Sequence, residues 1–350
     1  MLRFTLLVCP FLAVAVSCAD RSQPVRTIPD NATGAPATKE YISGPFRHEN
    51  LAIYLVHGED ELDGRHFVTL QEALEQKRLV VHETGNVQEL AVENVSTDDV
   101  IYIQAGEIVR GGKQDRVIRS DMLVSPNSGK VPIAAFCVES GRWSQRGGES
   151  VARFSASANS ISSNSLKLAV RYESDQSAVW RAVDYNLHGI AANLGTDVLS
   201  DESATSLELT LDNEKIKKSA AEYTGRLAHI VQQANDAVGY VAVINGKISS
   251  ADVYGSRQLF RKLWPKMLNA SAVEAIAEAD PKANFTTPDI AEVESFLADV
   301  QRAEAKKRDL SARVTAVTRE TEDHVLYETV DRQAGSARVH GNYLNKKFKE

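Results

Sequence analysis

The chain has 350 residues, 43% of them hydrophobic and 25% charged, with a formal net charge of −7 at pH 7. That length is enough to bury a large core, as one large domain or two tightly joined lobes. The acidic balance excludes a strongly basic protein, and no basic patch dominates the sequence, so nucleic acid is not an expected partner.

Arg3 is the only charge before Asp20, and Phe4–Val16 is a nearly continuous apolar run. It is shorter than the about 20 residues a membrane-spanning helix needs, so residues 1–17 read as a signal peptide. Ala15, Val16 and Ser17 precede Cys18. This resembles a bacterial lipobox, in which the Cys after a small residue becomes the lipidated N-terminus, although Ala15 stands where Leu is usual. A plain signal-peptidase cut after Ser17 fits the same small residues. Residues 18–45 are rich in Pro, Thr, Ser, Asn and Ala and read as a flexible tether. No later run is long and apolar enough for a transmembrane helix. The expected place is the periplasmic side of the cell envelope, with the membrane as partner through a lipid on Cys18. Cys9 leaves with the signal and Cys18 would be lipidated, so Cys137 would have no internal disulfide partner.

The folded part reads as two segments, residues 46–280 and residues 281–350. Leu51–His57 is apolar and β-prone, and Thr69 to Glu72 form a capping-box pattern opening a short helix to Lys77. Leu79–His82, Gln88–Asn94 and Val100–Gln104 look like strands. Val117–Ser125 and Lys130–Val138 flank Pro126-Asn127-Ser128-Gly129, which predicts a hairpin. Ser155–Ser165 reads as a Ser/Asn-rich loop. Ala178–Asn193 is helical by pattern with Gly195 near its C-cap, Leu207–Leu211 alternates like a strand, and Asn213–Ala237 is a long amphipathic helix. Asn245-Gly246 joins two β-prone runs, Tyr240–Ile244 and Lys247–Val253, in a second hairpin. A helix from Gln258 holds Pro265, which predicts a kink or a break. Thr287-Pro288-Asp289 opens a helix to about Asp309. Arg313–Arg319 and His324–Val330 look like closing strands. The fold class is α+β, with a mixed or mainly antiparallel sheet, a β-rich N-terminal half and a helix-rich C-terminal half.

Ala105–Arg116 and Pro132–Trp143 end apolar runs in dense charge. They bring together Glu107, Gln114, Arg116, Glu139, Arg142 and Trp143 as candidate ligand-binding residues. Two Arg and a Gln suit an anionic or amide-bearing ligand, and Trp143 suits stacking on a ring. A structural ion-pair network between two hairpins uses the same residues. Glu107 and Glu139 would serve as acid and base for hydrolysis if about 5–9 Å apart. Cys137 follows Ala134-Ala135-Phe136 in an apolar strand and reads as a buried thiol. The eight His residues show no ligand spacing, and the acidic Glu59–Asp63 loop lacks the calcium-loop pattern, so neither metal nor cofactor is expected. Gly111-Gly112-Lys113 departs from the phosphate-loop spacing and reads as a turn.

Gly106-Glu107, then Gly111 or Gly112 with Gln114 and Arg116, then Cys137-Val138-Glu139-Ser140-Gly141-Arg142-Trp143, and the helix Phe260–Lys266 with its Trp264-Pro265 resemble a family of uncharacterised bacterial domains. These are the ARG- and rhodanese-phosphatase-superfamily-associated domains. Asp115 departs from the resemblance, which implies Asn there. The resemblance carries no reaction. The function expected is a lipid-anchored envelope protein whose Glu107–Trp143 face binds a small polar ligand or an envelope protein without catalysis. The alternatives are a hydrolase using the Glu107/Glu139/Cys137 region and a purely structural domain.

Overall fold

The computed structural model describes residues 40–141, 154–161 and 163–348. The signal peptide, most of the tether, and Arg142 and Trp143 lie outside the described residues. No helix among the described residues is long and apolar enough to cross a membrane.

Regular structure starts at β1 (Tyr41–His48), inside the segment read as tether, and turns into β2 (Leu51–His57). β3 (Phe67–Thr69) leads into α1 (Leu70–Glu75), where Thr69 and Glu72 form the expected capping box. Then follow β4 (Leu79–Glu83), β5 (Glu89–Asn94), β6 (Val100–Ile103), β7 (Glu107–Gly111), β8 (Arg116–Ile118), β9 (Met122–Val124), β10 (Lys130–Cys137) and β11 (Phe154–Ile161). Next are α2 (Asn164–Leu168), a π-helical turn Ala169–Glu173, α3 (Gln176–Leu194), α4 (Leu207–Leu211) and α5 (Glu214–Leu227). The chain ends in β12 (Ala237–Ile244), β13 (Lys247–Tyr254), α6 (Arg257–Ala277), α7 (Ile290–Gln301), β14 (Lys306–Asp309), β15 (Val314–Glu320), β16 (His324–Asp331) and β17 (Ala337–Asn345).

An eight-stranded sheet runs β1-β2-β12-β13-β17-β16-β15-β14, a six-stranded sheet β11-β7-β8-β10-β5-β4, and a small one β3-β6-β9. Pairing is antiparallel except between β3 and β6, so the fold is α+β and mainly antiparallel. The helices, α1 apart, follow residue 163, but so do six strands, four of them completing the large sheet after residue 305. The C-terminal segment is thus hydrogen-bonded into the sheet that β1 and β2 begin.

β2 shows why that sheet is sandwiched. Every residue of it is buried. Leu51, Ile53 and Leu55 enter the core shared with α3, α5 and α6, while Ala52, Tyr54 and Val56 pack with Val293, Phe296, Leu297 and Val300 of α7. Alternation puts successive side chains on opposite faces, so the apolar run Leu51–Val56 needs cover on both.

The Asn245-Gly246 hairpin forms as expected, with both residues at positive φ (50° and 76°). Several expectations change. Leu207–Leu211 is a helix, because the Ser206 side chain caps the Leu209 amide. The Ser155–Ser165 loop is largely β11, held by pairing with β7. The hairpin around Pro126–Gly129 splits: β8 pairs with β10, whereas β9 leaves to pair with β6 in another sheet. The long helix from Asn213 stops at Leu227, and the helix after Pro288 stops at Gln301, where Lys306–Asp309 becomes a strand. α6 continues past Pro265 to Ala277; burial of Leu263, Trp264, Lys266 and Met267 on either side outweighs the one lost amide donor.

Candidate functional site

Arg116 lies opposite Cys137 in the β8–β10 ladder and is fully buried. It donates to the Gln114 carbonyl at 2.9 Å, and its guanidinium lies 3.5 Å from the Glu83 carboxylate. The same Glu83 oxygen accepts the Lys113 amide, and the Gln114 side chain donates to the Glu139 carbonyl. Gly112 closes this corner at φ +60°; a Cβ there would stand 2.3 Å from the Phe154 ring and 2.6 Å from the Glu83 carboxylate. Gln114, Arg116 and Glu139 are therefore joined, with Glu83 added, a residue the sequence does not single out. Glu107 turns elsewhere: it accepts from the Lys266 ammonium at 3.0 Å and from the Gln104 amide. The Cys137 thiol is buried and points to the Val87 carbonyl, while the Cys137 backbone is clasped by Gln176 at the start of α3.

A second polar cluster was not legible in the sequence. β13, β17 and β16 are neighbours, with Tyr254 opposite His340 and Thr329 opposite His340. Asp252, Tyr254, His340, Asn342, Tyr327 and Thr329 all project on one sheet face by strand alternation. His340 stands between two carboxylates, Nδ1 at 2.8 Å from Asp121 and Nε2 at 3.0 Å from Asp252. Asp121 also accepts from the Ala105 amide and the Thr329 hydroxyl. Asp252 also accepts from Asn342 and from Lys167, 3.3 Å away. Tyr254 stacks on the imidazole at 4.5 Å and donates to Gln104.

All four charged groups are buried. Burial alone would raise both carboxyls, but His340, and for Asp252 first Lys167, holds them well below the usual carboxylate range. Burial alone would lower His340; Asp121 and Asp252 outweigh it and raise it. Two carboxylates thus face one imidazolium and one ammonium, so the cluster is neutral. Because both ring nitrogens donate, His340 has no lone pair to act as a base. The cluster is a charge-matched spine tying the β6–β7 and β8–β9 connections to the large sheet.

Asp121 also forms part of the floor of an open cavity of about 380 Å³ between β14–β16, the π-helical turn and the β8–β9 connection. Arg119, Arg171, Lys306, Lys307 and Arg308 line it, with Asp121, Glu320 and Glu328 as its acids. Each acid already has a cation from outside: His340 for Asp121, Lys346 for Glu320 and Arg319 for Glu328. Arg171 lies 4.3 Å over the Tyr327 ring and donates to Asn342, which ties the cavity to the spine. Burial first, then repulsion from Arg308 and Arg171, push Arg119 below the usual guanidinium range. The cavity is cationic in a chain whose overall charge is negative.

The family model of the ARG and Rhodanese-Phosphatase-superfamily-associated Protein domain matches residues 40–344. The chain belongs to this family. Its match starts one residue before β1 and ends one residue short of the end of β17, so it includes the closing strands. No curated protein and no solved structure matches the chain.

Proposed function

We propose that this protein is an exported, lipid-anchored envelope module that binds a small anionic ligand in the cavity walled by Arg119, Lys306 and Arg308. The observation that carries this reading is the pairing pattern. The cavity's three acids are each matched by a cation from outside it, while Arg119, Lys306, Lys307 and Arg308 form no ion pair among the described residues. Cations that outnumber the acids around them repel one another, and an anion relieves that repulsion while receiving charge-assisted hydrogen bonds. Arg presents a planar fork suited to phosphate or carboxylate oxygens. The Arg116 corner, read from sequence as the ligand face, is assigned here to stitching hairpins, since Arg116 is fully buried with partners of its own.

Calorimetric titration with inorganic pyrophosphate tests the binding. The expected result is saturable binding that Arg119→Ala weakens about tenfold or more, as for loss of a hydrogen bond to a charged group. Equal affinity in wild type and Arg119→Ala would remove the cavity as the site. Anchoring rests on the lipobox-like residues ending at Cys18 and the tether-like composition after it. Metabolic labelling with a fatty-acid analogue is expected to mark wild type and not Cys18→Ala, and equal labelling would rule lipidation out.

A further inference from the structure

At the opposite edge of the large sheet from the cavity, three residues form a hydrogen-bonded chain. β1 is the edge strand there, and β14 is the other edge. In the β1–β2 ladder Tyr41 lies opposite His57 and Ser43 opposite Leu55. Tyr41 and Ser43, two residues apart, share a face, so Ser43 is the diagonal neighbour of His57. Asp236 directly precedes β12, whose Ala237 pairs with His57, and the Asp236 carbonyl accepts the Gly58 amide at 3.0 Å. Two strands and the turn that opens a third thus deliver one hydroxyl, one imidazole and one carboxylate to the same spot.

The Ser43 Oγ lies 2.7 Å from His57 Nε2, and His57 Nδ1 lies 2.7 Å from Asp236 Oδ1. An ionised carboxylate only accepts, so the proton of the neutral imidazole sits on Nδ1. Nε2 then carries the lone pair and accepts the Ser43 hydroxyl. This is the order of nucleophile, base and orienting acid that defines a serine triad by geometry, whatever the fold. Tyr41 fixes it further. Its ring stacks on His57 at 4.3 Å and 8°, and its hydroxyl donates to the second Asp236 oxygen at 2.7 Å. Burial would raise Asp236, but the hydrogen bonds from His57 and Tyr41 outweigh it and hold the carboxyl below its ordinary range. His57 is buried, whereas Ser43 is only partly so.

We propose that Ser43, His57 and Asp236 are the catalytic residues of an esterase acting on acyl esters. Ser43 Oγ attacks the ester carbonyl as His57 Nε2 takes its proton. The carbonyl–alkoxy bond breaks, and the leaving alcohol takes that proton from Nε2. Water, deprotonated by His57, then attacks the acyl-serine; the carboxylic acid leaves and Ser43 regains its proton. Asp236 stabilises the imidazolium formed in each half. None of the anion-cavity residues takes part, so the two activities stand or fall separately.

The test uses the purified chain with a fluorophosphonate, whose fluoride Ser43 displaces, and with p-nitrophenyl acetate. One adduct mapping to Ser43 is expected, with p-nitrophenol released faster than in buffer. Ser43→Ala is expected to abolish both. Asp236→Asn, which favours the wrong tautomer, is expected to slow ester hydrolysis by about 100-fold or more. Tyr41→Phe is expected to keep the adduct. An unlabelled wild type with no hydrolysis above buffer, an adduct on another residue, or a Ser43→Ala variant as fast as wild type would each overturn the proposal. Should Ser43→Ala fail to fold, the wild-type peptide map alone decides.

Discussion

The spine around His340 and the cationic rim around Arg119 share one residue, Asp121, yet obey opposite rules. In the spine each of the four charged groups has an opposite charge within reach, and burial makes that pairing obligatory. At the rim the acids are matched from outside and four cations are left unmatched among the described residues. Lys306, Lys307 and Arg308 are exposed and Arg119 is partly so; such charges tolerate this because water solvates them, whereas buried ones do not. The contrast separates matched charge, which holds the fold together, from the surplus charge around the cavity, on which the proposed anion binding rests.

The largest effect should come from breaking the spine. His340→Leu leaves two buried aspartates without their shared cation, which should cost about 3–5 kcal/mol in urea denaturation. A loss below 1 kcal/mol would mean that the spine is not charge-matched in solution.

The pH dependence sharpens the same point. His340 binds its proton more tightly folded than unfolded, so its contribution is complete below about pH 6.5 and fades as pH rises through its raised value. Asp121 and Asp252 hold their protons less tightly folded, so theirs is complete above about pH 4 and fades as pH falls through their depressed values. The stability gap between wild type and His340→Leu should therefore be widest between about pH 4 and 6.5. A gap independent of pH from 3 to 9 would contradict the assignment.

Asn342→Ala cuts the link between the two regions, because Asn342 bonds both Asp252 and Arg171. It should cost about 1–3 kcal/mol, the penalty for a buried acceptor losing its donor. Arg308→Ala, at the rim, should change stability by no more than about 0.5 kcal/mol. A rim variant as damaging as a spine variant would erase the distinction.

What the sequence disclosed follows from the range of the interactions. The capping box at Thr69 and the Asn245-Gly246 turn are local chemistry and appear as expected. Gln114, Arg116 and Glu139 are recognisable as a built cluster because two neighbouring hairpins bring them together. The spine had no such signal. His340 meets Asp121 from 219 residues away and Asp252 from 88, and no spacing motif encodes partners set by strand order. The only trace is polar residues at alternate strand positions, Ser250 with Asp252 and His340 with Asn342. The local misreading at Leu207–Leu211 is also physical: five residues fit either period, and only the Ser206 cap decides.

Diffraction from crystals grown with tungstate, a heavy tetrahedral oxyanion, tests the central claim most directly. An anomalous peak within hydrogen-bonding distance of Arg119 and Arg308, in the cavity above Asp121, is the predicted result. An empty cavity at a tungstate concentration that saturates the protein in solution, or the peak at another surface, would contradict the account.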